Sequence, residues 1–160
     1  MKMSKKKLLA IVFASLLSLT ISVTAFAALN EAAAKELAEK WVPKGATHVL
    51  TKNDQFEYEV MFTTPDNVIY EVEISKLTER VTEVNTKLQN NYGSNIINLK
   101  PDDVRQIVLK EFPGASIHRI KLESDDGYQQ YKVKFSTNTV RGEMEINPET
   151  GVIIERELHY

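Results

Sequence analysis

Four stretches of the chain alternate between apolar and polar side chains. Tyr58, Val60 and Phe62 share one face, with Glu57 and Glu59 opposite. Tyr131, Val133 and Phe135 do the same against Lys132 and Lys134. Val68, Tyr70, Val72 and Ile74 correspond to Val140, Gly142, Met144 and Ile146. A period of two predicts antiparallel strands with one covered face and one wet face. Elsewhere the period changes. Val104, Ile107, Val108 and Phe112 recur at helical spacing, behind Pro101 at a first helical position and Asp102 and Asp103 at the positive end of the helix dipole. Lys100 is then the N-cap, a poor residue for that position, and a staple of Leu99 on Val104 compensates. An earlier helix is opened by Asn30, a better N-cap, and carries a thinner stripe of Ala33, Leu37 and Trp41, with Trp41 as its large anchor. Pro43 and Pro113 end the two helices.

These patterns are two copies of one unit. A shift of 70 superposes "LNEAAAKELAEKWVPKGATHVL", from Leu29, on "LKPDDVRQIVLKEFPGASIHRI", from Leu99. The shift becomes 73 between "YEVMF" at Tyr58 and "YKVKF" at Tyr131, and 72 between "YEVEI" and "GEMEI". The changes fall where turns are expected, which is where insertions are tolerated. Residues 1–27 read as a signal peptide, 28–84 as the first repeat, 85–95 as a polar linker entered by the tail of a strand, and 96–160 as the second repeat. Each repeat is expected to be α+β, one helix packed on an antiparallel sheet in two layers.

The leader reading rests on Lys2, Lys5, Lys6 and Lys7, an uncharged apolar run from Leu8 to Val23, and Ala25-Phe26-Ala27 before the expected cleavage point. That run is about 16 residues, short of the roughly 20 needed to span a bilayer. The expected location is therefore secreted or cell-envelope, with no membrane span after cleavage. Loss of four lysines and no acid takes the formal charge from −2 to −6. Such a balance disfavours nucleic acid, which requires basic patches against phosphate. The chain has no cysteine, which excludes disulfides, thiolate catalysis and Cys-ligated zinc, and leaves the core alone to hold the fold.

"MEINPETGVIIERE" places Asn147, Pro148, Thr150 and Gly151 between two apolar runs. Asn147 is suited to bond its own backbone two residues on, Pro148 presets φ, and Gly151 permits φ > 0. The insert reads as a structural corner, since Asn147 and Glu149 supply too few oxygens for a calcium cage of 6–8 ligands. Helix, strands, and a strand running into D-x-x-T-G before a last apolar strand resemble the PepSY domain, as a tandem pair covering nearly all of the mature chain. Asn147 stands where that family usually has Asp. In the first copy the turn is "ISKLTERV", with Ser75 for Asp, Glu79 for Gly, and Thr78 kept. The resemblance implies a PepSY-like two-layer fold and a role in restraining or regulating peptidases near the cell surface. The tandem is also similar to the beta-lactamase inhibitory protein architecture.

Chemistry is sparse. No H-E-x-x-H, G-x-S-x-G, P-loop or dinucleotide-binding pattern is present. His48 and His118 hold matching repeat positions and read as half-buried strand residues at the edge of each core, while His159 reads as part of a mobile tail. No catalytic residue, metal site or cofactor is expected. One asymmetry stands out: Glu57 and Glu59 lie beside Glu71 and Glu73, whereas Lys132 and Lys134 lie beside Glu143 and Glu145. Like charges across strands are destabilising. Glu57, Glu59, Glu71 and Glu73 are thus either a solvated face or a docking surface for a basic partner. The expected function is non-enzymatic binding and modulation of an exported protein, a peptidase foremost. A structural or ligand-sensing envelope module without a peptidase partner is the alternative, and a hydrolase comes third.

Overall fold

The computed structural model describes residues 29–160; the leader lies outside them. In chain order it contains α1 (Glu31–Ala38), a short 3-10 turn (Glu39–Trp41), β1 (Thr47–Asn53), β2 (Glu57–Thr63), β3 (Val68–Ser75), β4 (Arg80–Leu88), α2 (Pro101–Glu111), β5 (Ser116–Asp125), β6 (Tyr128–Ser136), β7 (Arg141–Ile146) and β8 (Ile153–His159). All strands join one sheet in the order β1-β2-β3-β4-β8-β7-β6-β5, and every neighbouring pair is antiparallel.

This corrects the expected fold class. The chain is mostly one eight-stranded antiparallel sheet with two short helices, not two repeats of a helix packed on a sheet in two layers. The units merge because β4 pairs with β8, Glu83 to Lys87 against His159 to Glu155. The helices are too small to form a second layer. Eight residues give α1 a length of about 12 Å. A sheet of this strand number is some 34 Å wide at ~4.8 Å per spacing.

Each helix instead seats one apolar cluster. Ala34 and Ala38 of α1 lie fully buried with Tyr58, Val60, Phe62, Val72, Ile74 and Val84. Val104 and Val108 of α2 lie with Tyr131, Val133, Phe135, Met144, Ile146 and Leu158. Val84 and Leu158 are paired across the β4–β8 junction, so both clusters occupy one face of the sheet. The alanine ridge differs from the expected stripe: Ala33 and Leu37 are only partly buried, and Trp41 is 40% exposed, packing edge-on to Tyr160 at 4.6 Å. Small side chains let α1 sit close to the sheet, which leaves no room beneath it for an indole. Tyr58 and Tyr131 fasten the helices at equivalent places, their hydroxyls donating to the carbonyls of Leu29 and Leu99. Lys100 has no side-chain acceptor, and α2 is capped the other way round, by Asp103 accepting from the Lys100 amide at 2.8 Å.

Both outer strands carry an irregularity, between His48 and Leu50 in β1 and between Ile117 and Arg119 in β5. The two slips fall one residue apart in repeat numbering. That offset turns Leu50 toward the wet face while Ile120 turns inward, against Val133.

Candidate binding face

The face opposite the helices is a charged ladder. Pairing places Glu59 between Lys52 and Glu73, and Glu73 between Glu59 and Glu83. Glu83 faces His159, and His159 faces Arg141. The adjoining row runs Met61, Glu71, Asn85, Glu157, Glu143, Lys134. The four acids singled out in the first repeat are therefore brought onto one face, though not evenly. Glu57 lies opposite Ser75 at the end of the ladder, and Glu71 is diagonal to Glu59 rather than opposite it.

The two halves handle their charges differently. In the second repeat Lys132 bridges Glu143 at 3.0 Å and Glu145 at 3.1 Å, and Lys134 reaches Glu143 at 2.8 Å. Burial opposes ionisation of Glu143, but hydrogen bonds from Lys134 and Lys132 outweigh it and hold the carboxyl below its ordinary range. In the first repeat Lys52 meets Glu59 at 2.5 Å, whereas Glu57, Glu71 and Glu73 have no lysine or arginine partner among the described residues. Burial, then a hydrogen bond shared with Glu59 and repulsion from it, pushes Glu71 up to about 7. Burial, with repulsion from Glu83, Glu57 and Glu59, also raises Glu73. Glu83 is raised by burial and by Glu157 and Glu57, against the pull of His159. At neutral pH the Glu59–Glu71 pair holds a proton part of the time, and Glu57, Glu59, Glu71, Glu73 and Glu83 are all half-buried.

Sequence reasoning missed Glu83, Glu157 and His159. Far from being a loose tail, His159 ends β8, with Nδ1 3.0 Å from Glu83 Oε2 and Nε2 2.8 Å from Glu157 Oε1. His48 and His118 do not meet, since β1 and β5 are opposite edges of the sheet. His48 lies edge-on to Phe62 and bonds Thr51, and His118 bonds Ser136 at 2.7 Å.

The corner Asn147-Pro148-Glu149-Thr150-Gly151 is a junction. Asn147 is buried; its Oδ1 accepts from the amides of Glu149 and Thr150, and its Nδ2 donates to Tyr92 O at 2.8 Å. Pro148 O accepts from the amides of Asn98 and Leu99, and Ser94 Oγ donates to Glu149 at 2.6 Å. Gly151 has φ +76 and packs on Ile107 and Leu99. The linker is thus stitched to the corner, and the Nδ2 donor that holds Tyr92 exists because the residue is Asn. In the first repeat the turn keeps its form. Ser75 Oγ accepts from the Thr78 amide, Glu79 N donates to Ser75 O, and Glu79 adopts φ 54 without being glycine.

A helix, four strands and this corner, given twice, match a known family model. The model described as "Peptidase propeptide and YPEB domain", PepSY, matches residues 28–85 and again 99–157. The chain belongs to the PepSY family. Among solved structures, a "putative lipoprotein" from Clostridium difficile 630 is 20% identical, with 82% of this PepSY chain and 94% of that chain covered and a TM-score of 0.37. No curated protein matches the chain. Among the described residues of the PepSY pair, no helix is long and apolar enough to cross a membrane.

Proposed function

We propose that this tandem PepSY protein is an extracytoplasmic, non-enzymatic module that binds an exported protein, a peptidase foremost, on the helix-free face of its sheet. The family description, which names peptidase propeptides, supports the class of partner. The leader-like segment before Ala28 supports export. The observation that carries the choice of face is the asymmetry of its charge. The second repeat neutralises Glu143 and Glu145 internally, whereas Glu59, Glu71, Glu73 and Glu83 form a strip with too few cations of its own. Selection for stability alone would remove such repulsion, and a basic partner surface would offset it on binding.

The test is capture of exported proteins on immobilised mature chain, followed by association kinetics at two salt concentrations. A peptidase bound stoichiometrically, with association slowed by salt, supports the reading. Recovery of the chain alone, with a melting temperature that responds to a small ligand, replaces it with an envelope-sensing module.

A further inference from the structure

We propose that Glu83, Glu157 and His159 form a binding site for a first-row divalent transition ion, Zn²⁺ in particular, at the junction of the two repeats. The three residues come from strands of different repeats, β4 and β8, which the sheet sets side by side. One imidazole lies between two carboxylates, Nδ1 toward Glu83 and Nε2 toward Glu157, with the candidate ligand atoms within 4.8 Å of one another. Imidazole selects zinc-like ions, and carboxylates complete such sets. Ring rotation that brings one nitrogen between both carboxylates would supply three protein ligands and leave the remaining positions open.

Three further observations point to a cation here. Asn85 lies directly across from Glu157, and its Oδ1 is buried without a donor. Its place in the ladder puts this unpaired acceptor on the same face of the sheet as both carboxylates. Next, each carboxylate has a like charge across its other side, Glu73 beside Glu83 and Glu143 beside Glu157. Lys132 and Lys134 relieve Glu143, but Glu83 and Glu157 find only His159 among the described residues. A dication would offset that repulsion more fully than hydrogen bonds from one imidazole ring. Third, Glu157 and His159 border an open hollow of about 370 Å³ that also includes His118, Ser136, Arg141 and Glu143. An ion therefore has an entry path; of the two cations that line the hollow, Lys134 is held by Glu143, and Arg141 beside His159 opposes the ion. Binding would pin β4 to β8 and change the sign of the middle of the acidic strip.

The experiment is calorimetric titration of the tag-free mature protein with ZnCl₂, with a parallel melting curve. Wild type is expected to bind one ion and to melt higher in its presence, since an ion that binds only the folded chain stabilises it. His159→Ala and Glu83→Gln should each weaken binding at least ~10-fold, the loss seen even for outer-sphere partners of a metal. His48→Ala, on the far edge strand β1, should bind like wild type. Should His159→Ala fold poorly by circular dichroism, His159→Gln takes its place. Ni²⁺ should broaden the His159 ring resonances before those of His48. Absence of binding up to millimolar Zn²⁺, unaltered binding in the His159 variant, or Ca²⁺ binding as tightly as Zn²⁺ would each overturn the site.

Discussion

Asn147 does three things at once: it caps two amides of its own turn and holds the carbonyl of Tyr92, fifty-five positions earlier in the chain. Asn147→Ala is expected to cost about 1–3 kcal/mol, the usual range for leaving buried groups unpaired. Asn147→Asp, which restores the common family residue, keeps the two caps and loses the donor. Its signature is faster amide exchange from Tyr92 to Ser94 with the turn itself still protected. Gly151→Val should cost roughly 1–2 kcal/mol through left-handed strain, aggravated because a Cβ there meets Ile107 at 3.1 Å. The mirror experiment is Glu79→Gly. Glu79 holds the same left-handed geometry against its preference, so glycine should raise stability by up to ~1 kcal/mol in urea melts. Equal melting of all four variants and wild type would remove the turn from the list of stabilising features.

Strand faces were legible because a period of two survives wherever a helix covers the sheet. The join between the repeats was not, for a physical reason. Between α1 and α2 the covered face carries Thr86 opposite Arg156, the latter reaching Glu111 of α2 at 2.8 Å, and the apolar signal lapses there. β4, "RVTEVNTKL", therefore reads as polar chain entering a linker, though it runs on to Leu88. With that pairing hidden, Glu59, Glu71 and Glu73 were visible as a patch, and Glu83, Glu157 and His159 were not. Gly142 shows the same limit. It aligns with Tyr70 in the repeat, but a Cβ there would lie 2.4 Å from the Phe135 ring, which packs tilted against Phe112 with centroids 4.7 Å apart. Gly142→Ala should destabilise by about 1–3 kcal/mol, and Phe135→Leu in the same chain should recover part of it. The acidic strip makes a prediction in pH. Glu71 has its folded value near 7 against an ordinary 4.5, so between these the folded chain binds the extra proton and stability falls as pH rises. The melting temperature is expected to climb on acidification through that window, and Glu71→Gln should flatten the climb. Glu143, held low, works in the opposite sense, and its contribution disappears only as pH drops below the ordinary carboxylate range. A wild-type profile that is level from neutral to mildly acidic pH would contradict the assignment.

Taken together, the eight strands carry a charge pattern that changes from acids with few cations on one half to interlocked lysines and acids on the other. Glu71→Lys should slow association with a basic partner and weaken its salt dependence, while leaving the melting temperature level or higher. Glu59 is better left in place because it already holds Lys52. Lys132→Glu with Lys134→Glu recreates the repulsion in the second repeat and should lower its stability without touching association. Unchanged association of Glu71→Lys at low salt would leave the strip as a solvated face. The irregular outer strands have a last consequence. β1 and β5 both step out of register, so neither border of the sheet offers a straight template of amides and carbonyls to another chain. Duplicating the unit widened the sheet from within, at β4 and β8, and left both borders frayed. A third unit, or a second molecule, would meet an interrupted ladder at either border, which disfavours growth edge to edge.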